Sequence, residues 1–81
     1  MSEDKIVSDQ TLDVKGLSCP MPIVKLAQAI KKIDIGQIIE VLATDPGTVP
    51  DIAAWSKQSG NEVIKHEKEG KVLTFYVKRR K

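Results

Sequence analysis

Hydrophobic and polar positions change their period several times along this chain, and each change marks an element. In "TLDVK" apolar and polar residues alternate, with Leu12 and Val14 on one side, which predicts a short strand ending near Lys15 and Gly16. From there the period lengthens: Ile23, Leu26, Ala27, Ile30 and Ile33 recur at helical spacing, while Lys25, Gln28, Lys31 and Lys32 point elsewhere. An amphipathic helix over about 20–33 follows, with Pro20 suited to its first position, lysines near its end and Gly36 at the exit. "QIIEVLA", Gln37 to Ala43, is nearly continuous in apolar and β-branched residues, as a central strand should be. Asp45, Pro46 and Gly47 break it, and Thr48 with Asp51 three residues on has the form of a capping box. The helix so opened buries Ile52 and Trp55 and stops at Gly60. "EVIKHE" and "KVLTFYVK" then form a hairpin around a turn containing Lys68, Glu69 and Gly70.

The order is strand, helix, strand, helix, strand, strand. Both crossovers are long enough for right-handed connections, so the expected fold class is α/β: a two-layer sandwich with two helices on one face of a four-stranded mixed sheet. Residues 1–10 are expected as a flexible N-terminal segment, 11–79 as the domain and 80–81 as a basic end.

Composition narrows what such a fold can do. Eighty-one residues make one domain that buries roughly 60% of its unfolded surface, too small to enclose an active-site cavity, so a site is expected at the surface. The net charge of +2 demands no anionic partner, and the cluster Lys78, Arg79, Arg80 and Lys81 is expected to be a solvated tail. "MSEDKIVSDQ" is acidic and polar, without the basic start and apolar stretch of a secretory signal; a cytoplasmic protein without membrane insertion is expected. A single cysteine allows no internal disulfide, and one Cys plus one His cannot supply the ligands of a zinc site. No metal and no cofactor is expected.

Chemistry concentrates at "GLSCPMPIVK". Cys19 is expected to cap the first helix, where the positive end of the helix dipole favours its thiolate by roughly 0.3–1 kcal/mol, a modest activation. With Pro20 first and Pro22 third, the third position has no N–H to give, leaving Met21 as the main donor to the sulfur. Two proline rings thus trade donors for rigidity and present the thiol in a fixed direction. The competing reading is a buried apolar filler. His66 is a lone strand histidine and receives no role.

"LDVKGLSCPMP" resembles the start of the TusA family, also called SirA-like or sulfur carrier proteins, whose hallmark is a C-P-x-P sequence at a helix start. "IGQIIEVLATDPGTVPDIAAWSKQSGNEVI" is similar to that family's second strand, D-P turn and second helix, so the likeness spans about residues 11–79. It implies the same sandwich, like the C-terminal domain of a bacterial translation initiation factor. It further implies that Cys19 receives sulfane sulfur as a persulfide from a donor such as a cysteine desulfurase or rhodanese and passes it to an acceptor protein, acting with partner enzymes rather than alone. Gly16, Pro20, Met21, Pro22, Asp45 and Pro46 are expected to shape the site, the last two as a rim where neighbouring parallel strands end. Ser56 stands where several relatives carry a second cysteine. Met21 and Pro50 stand where the thiouridine-pathway member has Glu and Arg, which weakens assignment to tRNA thiolation. Thiouridine synthesis, sulfur oxidation, thiosulfate use and molybdenum-cofactor supply all fit.

Two other classes compete. One is a protein- or RNA-binding regulatory module using the sheet and the basic C-terminus, although Phe75 and Tyr76 are strand neighbours that face opposite sides and make no stacking platform, so direct nucleic-acid binding is not expected. The other is a thiol redox protein, which would need a partner thiol.

Overall fold

The computed structural model describes residues 8–18 and 20–81. Six elements run in the order β1 (Gln10–Asp13), α1 (Met21–Ile30), β2 (Ile38–Ala43), α2 (Thr48–Ser59), β3 (Glu62–Glu69) and β4 (Val72–Lys78). They form one four-stranded sheet of order β1-β2-β4-β3, in which β1 and β2 are parallel and the β2–β4 and β3–β4 pairs antiparallel. This is the mixed-sheet sandwich expected from the pattern.

Alternation builds the core. In β2 and β4 every second residue is buried, and the register sets Ile39 opposite Val77, Val41 opposite Phe75 and Ala43 opposite Leu73. These six share one face, and Leu26, Ala29, Ile30, Ile33 and Ile52 from the helical side close over it. Both helices therefore cover the same face, while Glu40 and Tyr76 lie on the other. Strand β2, nearly continuous in apolar residues, is fully buried on one face only: Ile38 and Leu42 stay half-buried on the open side.

Helix α1 is shorter than its periodicity suggests, starting at Met21 and ending at Ile30. Its inward stripe is Pro22, Leu26, Ala29 and Ile30, so Ala29 rather than Ala27 is buried, and Ile33 joins the core from the turn beyond. Helix α2 ends as expected, with Gly60 in the left-handed region at φ 81° and its N–H donating to the Ser56 carbonyl. Its start differs from the expected capping box: Gly47 is the cap, and no side chain bonds at that position. Asp45 does the turning instead, accepting from the Gly47 N–H through Oδ1 at 3.2 Å and from the Thr48 N–H through its carbonyl at 2.9 Å. Thr48 Oγ1 is buried and has no hydrogen-bond partner among the described residues.

Strand β3 runs to Glu69, so the hairpin turn is the two-residue Gly70-Lys71 rather than Lys68 to Gly70. Gly70 has φ 63° and no non-glycine residue among the described ones, Lys71 included, has a positive φ, the sign pattern of a type II′ turn. A bulge between Val63 and Lys65 shifts the register, after which Lys65 pairs with Tyr76 and His66 with Phe75.

The basic end is exposed at Arg80 and Lys81, as a solvated end should be, but it is also tied down. Arg79 donates through Nη1 to the Ile33 carbonyl at 2.6 Å, and Arg80 pairs with Glu62 at 2.6 Å. Asn61 Oδ1 accepts from the N–H groups of Arg80 and Lys81 at 2.7 and 3.2 Å. No helix among the described residues is long and apolar enough to cross a membrane.

Candidate functional site

Parallel pairing brings the ends of β1 and β2 to one edge, and the C-P-x-P segment leaves from that edge. Gly16, at φ 84°, turns the chain out of β1, and its N–H donates to Thr44 Oγ1 at 2.9 Å. That bond joins the β1–α1 and β2–α2 connections directly. A Cβ at Gly16 would meet nothing within 4 Å, so the glycine is required by its backbone angle and leaves open space before it.

Cys19 itself lies outside the described residues, and the expectations placed on its sulfur stay with it. Its neighbours are clear. Ser18 and Pro20 are exposed, and Pro22 is buried against the core side. The cap of α1 falls on Pro20, at φ −98° and ψ 11°, which makes Met21 the first helical residue and Pro22 the second, one place later than expected. Among the described residues no side chain caps either helix. The Met21 N–H, expected to serve the sulfur, donates to the Ser18 carbonyl at 2.9 Å. The Ile23 and Val24 N–H groups both reach the Pro20 carbonyl at 3.1 Å. The first turn thus satisfies its donors within the backbone.

Around this turn the surface mixes apolar and polar groups. Met21 and Val24 are each 40% exposed, and Pro20, Ile23, Ala54 and Trp55 line a shallow depression between the helices together with Asp51 and Gln58. Trp55 is half-buried: it packs on the core, as expected, and also shows an edge here. Of the rim pair, Asp45 is half-buried and forms the turn described above, whereas Pro46 is exposed. Ser56 donates to the Asn61 carbonyl at 2.5 Å, which fixes the α2–β3 junction. His66 stacks on Phe75 with ring centroids 5.6 Å apart, a contact that fills the edge of the sheet.

One part of this edge was not foreseen. Thr44, Pro46, Val49, Lys68, Gly70, Lys71 and Leu73 line a groove of about 450 Å³ between the start of α2 and the β3–β4 turn. Only Lys68 and Gly70, expected in the hairpin turn, and Pro46, expected at the rim, hinted at it in the sequence, since the bulge that sets its lining depends on strand pairing.

On the open face Thr11 and Tyr76 both donate to Glu40, at 3.2 and 3.3 Å. Partial burial, then the carboxylate of Glu40, raises the Tyr76 phenol above its ordinary value. With Phe75 buried on the opposite face, no aromatic pair is presented to a base.

Residues 10–79 match the sequence model of the family described as Sulfurtransferase TusA. The chain is 46% identical over 72 residues to YrkI of Bacillus subtilis, covering 89% of this chain and 96% of that one. It is 42% identical over 71 residues to the sulfur carrier protein TusA of Allochromatium vinosum, covering 88% and 93%. In a longer relative from Aquifex aeolicus, 43% identical over 76 residues, the matched region is 39% of the length. The crystal structure of a SirA-like protein from Desulfitobacterium hafniense has the same fold, with a TM-score of 0.76 at 19% identity over 89% of this chain and 99% of that one. From the match over residues 10–79 and these relatives, the chain belongs to the Sulfurtransferase TusA family.

Proposed function

We propose that this protein is a sulfur carrier: Cys19 accepts sulfane sulfur as a persulfide and hands it to a second protein. Supporting it most directly is the C-P-x-P segment of a TusA-family chain emerging at an exposed sheet edge, flanked by exposed Ser18 and Pro20 and by apolar surface at Met21 and Val24. In the loading step the Cys19 thiolate attacks the outer sulfur of a donor persulfide. The donor's S–S bond breaks as the new one forms, and the electron pair leaves on the donor thiolate; no oxidant is consumed. Attack by an acceptor thiolate on the outer sulfur of Cys19 reverses the roles. Such exchange depends on thiolate fraction, nucleophilicity and access, so moderate activation suits a carrier that must both take and give.

Pro20 and Pro22 stiffen the approach to the helix, Met21 offers a flexible apolar contact, and Gly16 leaves room for the partner's active-site residues. Asp45 and Pro46 shape the neighbouring connection. The partners are a sulfur donor, such as a desulfurase or rhodanese, and a downstream acceptor. Incubation with a cysteine desulfurase and cysteine, followed by intact-mass measurement, should show one added sulfur atom on the wild type and none on Cys19→Ser. Loading that persists in Cys19→Ser overturns the reading.

A further inference from the structure

The groove between α2 and the β3–β4 turn lies on the edge that carries the C-P-x-P segment, yet no step of sulfur exchange uses it. Its floor and walls are apolar: Leu73 below, Val49 and Pro46 on one side. Val49 is one of four large hydrophobic residues left exposed among the described positions, at 37%. Above the floor stand Lys68 and Lys71, and among the described residues neither forms a salt bridge.

Lys68 arrives there through the bulge. Strict alternation from Val63, which faces the core opposite Val77, would carry Lys65, Glu67 and Glu69 to the helix side and Lys68 to the open side. The extra residue before Lys65 reverses this, and Lys68 pairs with Leu73 on the helix side. A glutamate row is thereby exchanged for a lysine at the groove. Thr44, at the other end of the lining, holds the Gly16 N–H, so the groove wall is bonded to the connection that leads into the C-P-x-P segment.

Resting on the sulfur-carrier reading, we infer that this groove docks an acidic segment of a partner protein: an apolar side chain seats on Leu73 and Val49, and flanking carboxylates meet Lys68 and Lys71. Charge complementarity selects the occupant. Small-molecule sites depend on several convergent polar groups that fix orientation, whereas this lining offers one threonine and two rim lysines over apolar surface. An anchor with a charged rim is the pattern of a protein interface. Two lysines at the rim also steer an acidic partner toward the edge where Ser18 and Pro20 are exposed.

The test uses the full chain labelled with nitrogen-15 and three capped pentapeptides: Glu-Glu-Leu-Glu-Glu, the anchorless Glu-Glu-Ser-Glu-Glu and the reversed Lys-Lys-Leu-Lys-Lys. Only the first should shift the amides of Thr44, Val49, Gly70 and Leu73. Lys68→Glu with Lys71→Glu should weaken that binding at least tenfold while leaving the remaining amide spectrum folded. Shifts that map elsewhere, equal binding of the serine peptide, unchanged binding in the double variant, or a response to glutathione alone would each overturn the inference. In parallel, wild type and double variant are loaded with inorganic polysulfide, which needs no docking, and equal loading is expected. Failure of both to load sinks sulfur carriage, while the titration still decides the groove.

Discussion

Tyr76 reports on the open face of the sheet one atom at a time. It is the chain's single tyrosine, so its phenolate absorbance can be followed without interference from another. Its pKa is raised because partial burial and the neighbouring Glu40 carboxylate both oppose a second negative charge. An acid whose folded pKa is raised holds its proton more tightly in the folded state. Its contribution to stability is therefore complete below the unfolded value, about 10, and is lost as pH rises through the folded value. Spectrophotometric titration should place the midpoint above that of the unfolded chain, and Glu40→Gln should lower it. A midpoint indifferent to Glu40→Gln would show that the bond at 3.3 Å has no electrostatic weight. At the same scale the prolines of the C-P-x-P segment were legible as a helix start, but not their exact helical positions, nor the φ of −98° at Pro20, which lies outside the usual proline range of about −65 ± 15°. The donors of the first turn went to the Ser18 and Pro20 carbonyls, since a closing 3₁₀-type turn satisfies them without a side chain.

Among the elements, α2 departs most from its signature. A threonine three residues before an aspartate has the right spacing for a cap, yet Thr48 sits inside the first turn with its hydroxyl buried and unpartnered, because Asp45 has already turned the chain. Replacing that hydroxyl by a methyl group removes an unsatisfied polar atom at nearly constant shape. Thr48→Val should therefore stabilise the fold by about 1 kcal/mol in urea denaturation, since a buried unsatisfied group costs about 1–3 kcal/mol. A loss of similar size would mean that the hydroxyl bonds something after all. The helix end was readable for a firmer reason: Gly60 adopts φ 81°, where other residues are strained. The hairpin, too, was legible from its turn residues, but a bulge leaves no comparable mark, being a property of two strands rather than one.

Across the whole molecule, the last residues act as a clasp. Arg79 reaches the turn after α1, while Asn61, itself 5% exposed, gathers the amides of Arg80 and Lys81 at the α2–β3 junction. Asn61→Ala should cost about 1–2 kcal/mol, from two hydrogen bonds of about 1 kcal/mol each, and should speed amide exchange at Arg80 and Lys81 before any residue of β4. Unaltered exchange there would show that the clasp is held by Arg79 and the Arg80–Glu62 pair alone. Two arginines spent in this way leave the C-terminus less free to follow a phosphate backbone than its composition suggests.

Local chemistry fixed the six elements and their order, because hydrophobic period, glycine and proline act within a few residues. It also singled out the C-P-x-P segment, since one thiol between rigid turns is visible in the chain itself. Tertiary structure decided what depends on residues far apart: the Gly16–Thr44 bond across 28 positions, the bulge that carries Lys68 to the helix side, and the capture of the basic end by Asn61. Each is a pairing between distant segments, and its energy exists only once the sheet has brought them together.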